Sequence, residues 1–227
     1  MNDLELIETK QVEKHLRAME ETVEKRIKTR EELLKNNEDV REKTIIHTGR
    51  ILHIDGDKKY SEKSNIYYKK VGLNAIVKNI PERKQPVFVG SLVRKYRPEI
   101  LVITGHDGMI KKGKNFTDIY NYRNSRYFIN SVMEARRWDN KGRDLVIFAG
   151  ACQSYYEAII GAGANFASSP GRILIDFMDP LIVAEKIATT DESKYVTISD
   201  IERNLRDGIK GVNGIGAMGK KKIVTKM

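Results

Sequence analysis

The sequence has a single cysteine and four histidines among its 227 residues. One cysteine cannot form a disulfide within the chain, and four scattered histidines offer no cluster at zinc-binding spacing. We therefore expect neither a disulfide framework nor a metal or other cofactor. The thiol of Cys152 is either a small buried side chain or a reactive group, and only its neighbours can decide between these roles.

Long hydrophobic runs are also missing. No stretch approaches the roughly 18 apolar residues that a membrane span needs, and the N-terminus is rich in Glu and Lys where a signal peptide would be apolar. With 40% hydrophobic and 32% charged residues, the chain is typical of one ordinary domain plus an appendage. We therefore expect a soluble, unexported protein that does not contact membranes.

The net charge of +10 is unevenly distributed. Residues 1–44 hold 10 Lys and Arg against 12 Asp and Glu, and the remaining residues hold 31 against 19. The basic excess therefore belongs to the main domain. A solvated basic surface that attracts acidic partners without specificity explains this charge better than a dedicated nucleic-acid site.

The N-terminal segment, residues 1–44, has apolar residues at helical spacing in its first 35 positions, without Gly or Pro. The apolar positions are Val12, Leu16, Met19, Val23, Ile27 and Leu34. We predict one long amphipathic helix that docks on the main domain or on a second copy of itself. A homodimer through this helix is one consequence.

From residue 50 onward, short apolar strands alternate with amphipathic helices, which indicates an α/β domain with a mainly parallel sheet covered on both faces. Strands are predicted at Arg50–Ile54, Asn74–Ile80, Glu99–Thr104, Leu145–Ala149 and Asn165–Pro170. Helices are predicted at 60–71, 86–96, 124–138, 155–162, 179–188 and 199–207. The catalytic domain would span 45–207, and the Gly- and Lys-rich segment 208–227 is expected to be a loose tail.

Two chemically competent side chains follow successive strands of this pattern. His106 comes directly after the third strand, and Cys152 comes after the fourth. Because ligands bind at the carboxyl ends of parallel strands, both side chains are expected at one edge of the sheet. A nearby imidazole and a helix start would lower the thiol pKa, so we predict Cys152 as nucleophile and His106 as its base. The amide of Cys152 with that of Asp107 or Gly108 would hold an oxyanion.

Other functions fit parts of the pattern. A flavodoxin-like binding module would use the basic face for nucleic acid or nucleotides. A thiol hydrolase such as a glutamine amidotransferase usually places its histidine after the cysteine, and no histidine follows Cys152. The segment Gly214–Lys221 nearly fits the phosphate-binding loop pattern, but it lacks the final Ser or Thr and a following helix.

The order of His106 and Cys152, 46 residues apart after two apolar strands, resembles the caspase, legumain, gingipain and clostripain clan of cysteine proteases. Three segments are similar to the YabG family of sporulation proteases: Lys95–Gly108 (KYRPEILVITGHDG), Tyr122–Phe128 (YRNSRYF) and Asp144–Pro170 (DLVIFAGACQSYYEAIIGAGANFASSP). The resemblance covers roughly residues 50–216. It implies a caspase-like three-layer sandwich. The clan usually has Gly directly after the histidine, where this chain has Asp107.

The same resemblance implies the function and the location. The protein would be a peptidase in the cytoplasm of the mother cell of a sporulating bacterium, associating with the spore coat. It would process spore coat and cortex-associated proteins, cleave after arginine and often cleave itself.

A pocket for arginine needs a carboxylate that can accept the guanidinium fork. The resemblance places such a residue near the end of the first strand, where Asp55 and Asp57 stand. Asp176, which follows the Ser168-Ser169 segment, is a rival for this role. All five of these residues are candidate substrate-binding residues.

Overall fold

Apolar runs rich in Ile, Val and Leu form the central sheet, as seen in a computed structural model that describes residues 21, 24, 25, 28, 44–111, 115–139 and 144–225. The strands of this part are β1 Thr44–His47, β2 Ile51–Asp55, β3 Ala75–Asn79, β4 Ile100–Thr104, β5 Val146–Ala149, β6 Phe166–Ser168, β7 Tyr195–Val196, β8 Val212–Gly214, β9 Ala217–Met218 and β10 Lys222–Thr225. Six of them form the main sheet in the order β3-β2-β4-β5-β6-β8. The first five strands of this order, β3, β2, β4, β5 and β6, run parallel to one another. The sixth strand, β8, is antiparallel to β6.

Helices cover both faces of this sheet. Their bounds are α1 Lys58–Lys70, α2 Gln85–Tyr96, α3 Ser125–Arg137, α4 Tyr156–Gly161 and α5 Met178–Thr189. Side chains alternate along each strand, so Ile100 and Val102 of β4 pack with α1 and α5, while Leu101 and Ile103 pack with α2, α3 and α4. The α/β class and the mainly parallel sheet are confirmed, and each predicted strand overlaps an observed one.

The register of the parallel strands brings their carboxyl ends to one edge. Asp55 at the end of β2 lies opposite Thr104 at the end of β4, and Ile103 lies opposite Ala149 at the end of β5. The loops that carry His106 and Cys152 therefore leave neighbouring strands at the same edge. This adjacency of β4 and β5 was the main structural expectation from the sequence, and it is confirmed.

The N-terminal segment is described at four positions. Glu21, Glu24, Lys25 and Lys28 are helical and exposed. The rest of the long helix predicted for residues 1–35 lies outside the described residues, so that helix and a homodimer through it stay predictions. Within the described ranges, no helix combines the length and apolar character that a membrane crossing requires.

The prediction of a loose C-terminal tail is wrong, because strands β8, β9 and β10 lie in this segment. Strand β8 adds to the main sheet, β9 pairs with β7, and β10 pairs with β1. Gly214 permits this packing, because a Cβ atom there would lie 2.2 Å from the carbonyl oxygen of Asn165. The backbone of β8 can therefore approach β6 closely enough to pair with it.

The α-helix predicted at 199–207 is also wrong. Two separate 3-10 turns, Ile198–Asp200 and Glu202–Asn204, occupy this region. Ile201 and Leu205 are both buried, so their spacing of four residues reflects two turns packed on the core rather than one continuous helix. A capping box between Thr197 and Asp200 begins the first turn.

Candidate active site

His106 lies just beyond β4 with its imidazole between two carboxylates. Its Nε2 is 3.8 Å from Oδ2 of Asp57, and its Nδ1 is 3.8 Å from Oε1 of Glu82. The imidazole is 58% exposed, so it is accessible from solvent. Each ring nitrogen therefore faces a carboxylate, so Asp57 and Glu82 flank the imidazole of a candidate general base.

Glu82 also holds the backbone of this loop. Its Oε1 accepts a hydrogen bond of 2.6 Å from the amide of His106. The carboxylate packs against Gly56 and Gly105, where an added Cβ would lie 2.2 and 2.4 Å from Oε1. The glycine before His106 is therefore needed for the close approach of Glu82, and this carboxylate orients both the backbone and the ring of His106.

Cys152 lies beyond β5 and is only partly exposed. Its thiol donates to the carbonyl oxygen of Ile175, with Sγ and O 3.9 Å apart. Burial raises the pKa of this thiol, and the Ile175 contact and the positive charge of Arg206 only partly oppose that effect. The expectation of a lowered thiol pKa from a helix start is not met, because α4 begins only at Tyr156.

Tyr60 is an aromatic neighbour of the His106 imidazole. The ring centroids of Tyr60 and His106 are 6.1 Å apart, and Tyr60 stacks on Phe177 at 5.6 Å. Burial raises the pKa of the Tyr60 phenol, and negative charge on Asp57 and Cys152 raises it further. The imidazole of His106 therefore lies beside an aromatic pair formed by Tyr60 and Phe177. The hydrogen bond of the resting thiol is directed to Ile175 and not to His106.

Asp107 links the two candidate catalytic loops. Its Oδ2 accepts a hydrogen bond of 2.9 Å from Ser154 Oγ, and that hydroxyl in turn accepts one from the amide of Ala151. The hydroxyl of Ser125 at the start of α3 donates to the same carboxylate and accepts from the amide of Tyr155. One partly buried carboxylate thus connects the His106 loop, the Cys152 loop and the first turn of α3.

The backbone amides near the site differ in whether their N–H groups already donate a hydrogen bond. The amide of Gly108 donates to the Asp107 carboxylate at 2.8 Å, so it is already in use. The amides of Asp107 and Cys152 have no carbonyl or side-chain acceptor within the described part of the chain. Of the predicted oxyanion donors, Asp107 and Cys152 keep a free N–H, whereas Gly108 does not.

The three candidate carboxylates for arginine have different surroundings. Asp55 is buried, and its oxygens accept from the amide of Asp57 at 2.7 Å and from Thr104 Oγ1 at 2.6 Å. The pKa of Asp55 is lowered; burial is the largest influence and acts in the opposite direction, but it is outweighed by His53 and the other hydrogen bonds together. This carboxylate is part of an internal network and does not face a ligand.

Asp57 and Asp176 lie nearer to the candidate catalytic residues. Asp57 caps α1 by accepting from the amide of Tyr60 at 3.0 Å, while its other oxygen faces His106. Asp176 directly follows Ile175, the residue that contacts Cys152, and its Oδ1 accepts from the amide of Met178 at 2.8 Å. Asp176 is buried, and its charge influences Tyr60, Lys63 and Arg206.

The Ser168-Ser169 segment is buried behind the Cys152 loop. Ser169 has a left-handed φ of 62°, and its hydroxyl accepts from the amide of Gln153 at 3.1 Å and donates to the carbonyl of Ile173 at 2.7 Å. Gln153 also has a positive φ, 55°. The hydroxyl of Ser168 has no hydrogen-bond partner in the described part of the structure. Ser169 therefore shapes the loop after Cys152 rather than facing a ligand.

Three neighbours of the site were not among the sequence predictions: Glu82, Tyr60 and Phe177. Glu82 follows β3, which belongs to the same parallel sheet, so its position beyond a strand end was an available signal. Tyr60 and Phe177 carry no comparable signal, because they come from the start of α1 and the residue before α5. In the described ranges, no group of three or more His, Cys, Asp or Glu side chains is arranged to hold a metal ion.

Comparison with known proteins gives one family. The model of the family described as YabG peptidase U57 matches residues 1–225. The sporulation-specific protease YabG of Bacillus subtilis (strain 168) is 41% identical over 175 residues, which cover 77% of this chain and 60% of that relative. This chain therefore spans less than two thirds of the relative's length. No solved structure matches it significantly.

Proposed function

The chain belongs to the YabG peptidase U57 family, and from that premise we propose that it is a cysteine endopeptidase of sporulation with Cys152 as nucleophile and His106 as general base. The observation that carries the proposal is the position of these two residues beyond adjacent parallel strands, with the Asp107 carboxylate joining their loops. The caspase-like relationship belongs to the same proposal, supported by the order of the two residues on an α/β sheet with helices on both faces.

The reaction begins with proton transfer from the thiol of Cys152 to the imidazole of His106. Asp57 and Glu82 flank the imidazole during this transfer, because each lies 3.8 Å from one ring nitrogen. The thiolate attacks the carbonyl carbon of the scissile peptide bond, and the amides of Asp107 and Cys152 donate to the oxyanion. His106 then protonates the leaving amine, and water hydrolyses the thioester.

The resting thiol supports a mechanism in which substrate completes the catalytic pair. Burial holds the pKa of Cys152 above its ordinary value, and the thiol donates to Ile175. A peptide in the site would displace that contact and bring the thiol to the imidazole. In many enzymes the catalytic hydrogen bonds tighten only in the complex with substrate.

Specificity for arginine would come from Asp176. This carboxylate directly follows Ile175, whose carbonyl oxygen accepts from the thiol of Cys152, so it lies close to the proposed nucleophile along the chain. A buried carboxylate near the nucleophile is suited to accept a guanidinium in two charge-assisted hydrogen bonds.

The biological role that we propose is the processing of spore coat and cortex-associated proteins in the mother cell, in association with the spore coat. Self-cleavage is part of the proposal, because arginines such as Arg17, Arg26, Arg30 and Arg41 lie in the N-terminal segment. Active protein is expected to accumulate N-terminally shortened forms on incubation. An intact mass that stays unchanged in the wild type would contradict self-cleavage without affecting the main proposal.

The test is cleavage of a mixed protein substrate by the wild type and by Cys152→Ala, read by mass spectrometry of the new termini. We expect cleavage after arginine with the wild type and none with the variant. His106→Ala should also be inactive while keeping the same thermal stability as Cys152→Ala. Equal cleavage by the wild type and Cys152→Ala would exclude this nucleophile.

A further inference from the structure

A second concave site lies at the other edge of the sheet, away from His106 and Cys152. It is a cleft of about 870 Å³. Its walls come from the residues before β2, β4 and β5, the end of α2, and the two-stranded ribbon of β1 and β10. The basic side chains that line it are His47, Arg50, Arg94, Arg97, Lys220 and Lys222.

The carboxylates of the cleft already have cationic partners. Glu99 accepts from the amide of Arg50 at 3.0 Å and lies 3.9 Å from its guanidinium. Asp144 pairs with Lys220 at 2.6 Å. Asp139 pairs at 2.9 Å with Arg136, which is not a lining residue. The acidic side chains therefore do not neutralise the remaining arginines of the cleft.

Arg94 and Arg97 carry this excess of positive charge. The guanidinium of Arg94 lies 4.0 Å above the ring of Trp138, a contact that uses its flat face and leaves the N–H donors at its edge for a ligand. The side chain of Arg97 makes no hydrogen bond or ion pair with the described residues, and the residue is exposed. Both belong to the last turn and C-cap of α2.

The backbone of Arg97 supports a role for this side chain. Its φ of 43° is in the left-handed region, at a helix end where glycine is the usual residue. An arginine costs free energy in this conformation, and no described contact of its side chain compensates for that cost. A bound anion would supply such a contact.

We propose that this basic cleft binds an Asp- and Glu-rich segment of a polypeptide. Guanidinium groups bind carboxylates through paired N–H donors, and Arg94 and Arg97 present two of them three residues apart. His47 and Lys222 are partners across the antiparallel pair β1 and β10, so one end of this ribbon adds two further basic side chains to the cleft.

Nucleic acid fits the cleft less well. A volume of 870 Å³ is in the range of small-ligand sites, about 300–1,000 Å³, and a duplex would contact only the rim. Binding of single strands depends on exposed aromatic faces on which bases stack. The Trp138 ring is instead covered by Arg94, and its indole N–H donates to Glu134 at 2.8 Å.

The test measures binding in the Cys152→Ala background, so it does not depend on proteolysis. Fluorescence anisotropy would follow three labelled probes: a twelve-residue peptide of Asp and Glu, the same peptide with Asn and Gln, and a twelve-nucleotide single strand. We expect the acidic peptide alone to bind well, with an affinity that falls as salt increases. Arg94→Glu with Arg97→Glu should weaken its binding at least tenfold.

The matched control is Lys58→Glu with Lys59→Glu on α1, which changes the net charge equally at exposed positions outside the cleft. It should leave binding within twofold of the parent. Equal weakening by both pairs, no binding of the acidic peptide, or tighter binding of the oligonucleotide would each overturn the proposal. If the Glu pair fails to fold, Arg94→Gln with Arg97→Gln provides the same test and should also weaken binding.

Discussion

The hydroxyl of Ser154 donates to the carboxylate of Asp107 across 2.9 Å, and this contact joins the loop of the proposed nucleophile to the loop of the proposed base. Each loop begins where a parallel strand ends, so the sheet sets their approximate positions. The final separation of the two catalytic side chains depends on the loops themselves. Asp107, one residue after His106, therefore fixes the His106 loop relative to the Cys152 loop.

We predict that Asp107→Asn lowers kcat by on the order of 10- to 100-fold, because small displacements of catalytic groups have effects of that size. The amide oxygen can still accept from Gly108 and Asn124, but the amide nitrogen cannot accept from the Ser154 and Ser125 hydroxyls. KM for a short arginine peptide should change less than kcat. Steady-state kinetics at fixed pH measures both quantities.

Ser131→Ala is the control for this prediction. Ser131 is also buried, and its hydroxyl has no partner in the described part of the chain, so its removal should leave kcat unchanged. Ser154→Ala should reproduce part of the loss seen with Asp107→Asn. A normal kcat in both Asp107→Asn and Ser154→Ala would show that the link between the loops is dispensable.

A second prediction concerns the resting state of the thiol. Because burial raises the pKa of Cys152, its reaction with iodoacetamide should be slower at neutral pH than that of free cysteine. The rate should reach half its maximum above the ordinary cysteine value of about 8.5. The chain has no other cysteine, so intact mass gives the extent of alkylation directly.

The variant His106→Ala distinguishes a protonated Cys152 thiol from a preformed pair of Cys152 thiolate and His106 imidazolium. The thiol donates to Ile175 in the resting protein, so removing the imidazole should leave the midpoint of alkylation unchanged. A midpoint below neutral pH that moves upward in His106→Ala would instead demonstrate a thiolate and imidazolium pair before substrate binds. That result would contradict the substrate-completed mechanism while preserving the dyad.

The sequence was sufficient to predict the strands that position the site. The apolar runs before His106 and Cys152 are each long enough for one buried strand, and consecutive buried strands tend to be neighbours in a sheet. Both properties depend on local sequence. From these two properties, the edge of the sheet where the two residues lie could be predicted without knowing the tertiary structure.

The remaining features depend on contacts between residues far apart in the chain. Asp107 appeared only as an oxyanion donor, since its partners Ser125 and Ser154 are 18 and 47 residues away. Gly214 suggested a flexible tail, whereas its lack of a side chain allows β8 to pair with β6. The same residue type marks loose segments and close packing, and only the tertiary structure distinguishes them.

A third prediction identifies the acceptor for arginine. Asp176→Asn should lower the preference for an arginine peptide over its neutral citrulline analogue by on the order of 100-fold, the effect of two charge-assisted hydrogen bonds. Asp57→Asn should preserve that preference, because its carboxylate faces His106. An unchanged preference in Asp176→Asn would exclude this residue as the acceptor.

A fourth prediction concerns stability near the site. Asp179 is buried at the start of α5 and accepts hydrogen bonds from the amides of Asp176 and Arg206 at 3.2 and 3.1 Å. Its pKa is raised to about 6, chiefly by burial and also by the negative charge of Asp176, against the opposing effects of the two amides and of Arg206. The folded protein therefore binds a proton at this carboxyl more tightly than the unfolded chain.

The sign of the pH effect follows from this difference. The stabilisation by protonated Asp179 is complete below the unfolded pKa of about 4, and it is lost as the pH rises through about 6. Its size is on the order of 2–3 kcal/mol at most. The free energy of unfolding of the wild type, relative to that of Asp179→Asn, should therefore fall between pH 4 and pH 6.5 and then remain constant.

Asp200 provides a control of opposite sign. It lies on the surface, and the Thr197 amide and hydroxyl lower its pKa, so its contribution to stability is lost as the pH falls. Urea unfolding from pH 3 to pH 8 would measure Asp179→Asn and the control Asp200→Asn against the wild type. If the Asp179→Asn difference were independent of pH across this range, the carboxyl would titrate alike in the folded and unfolded states, and the two amides and Arg206 would balance the effect of its burial.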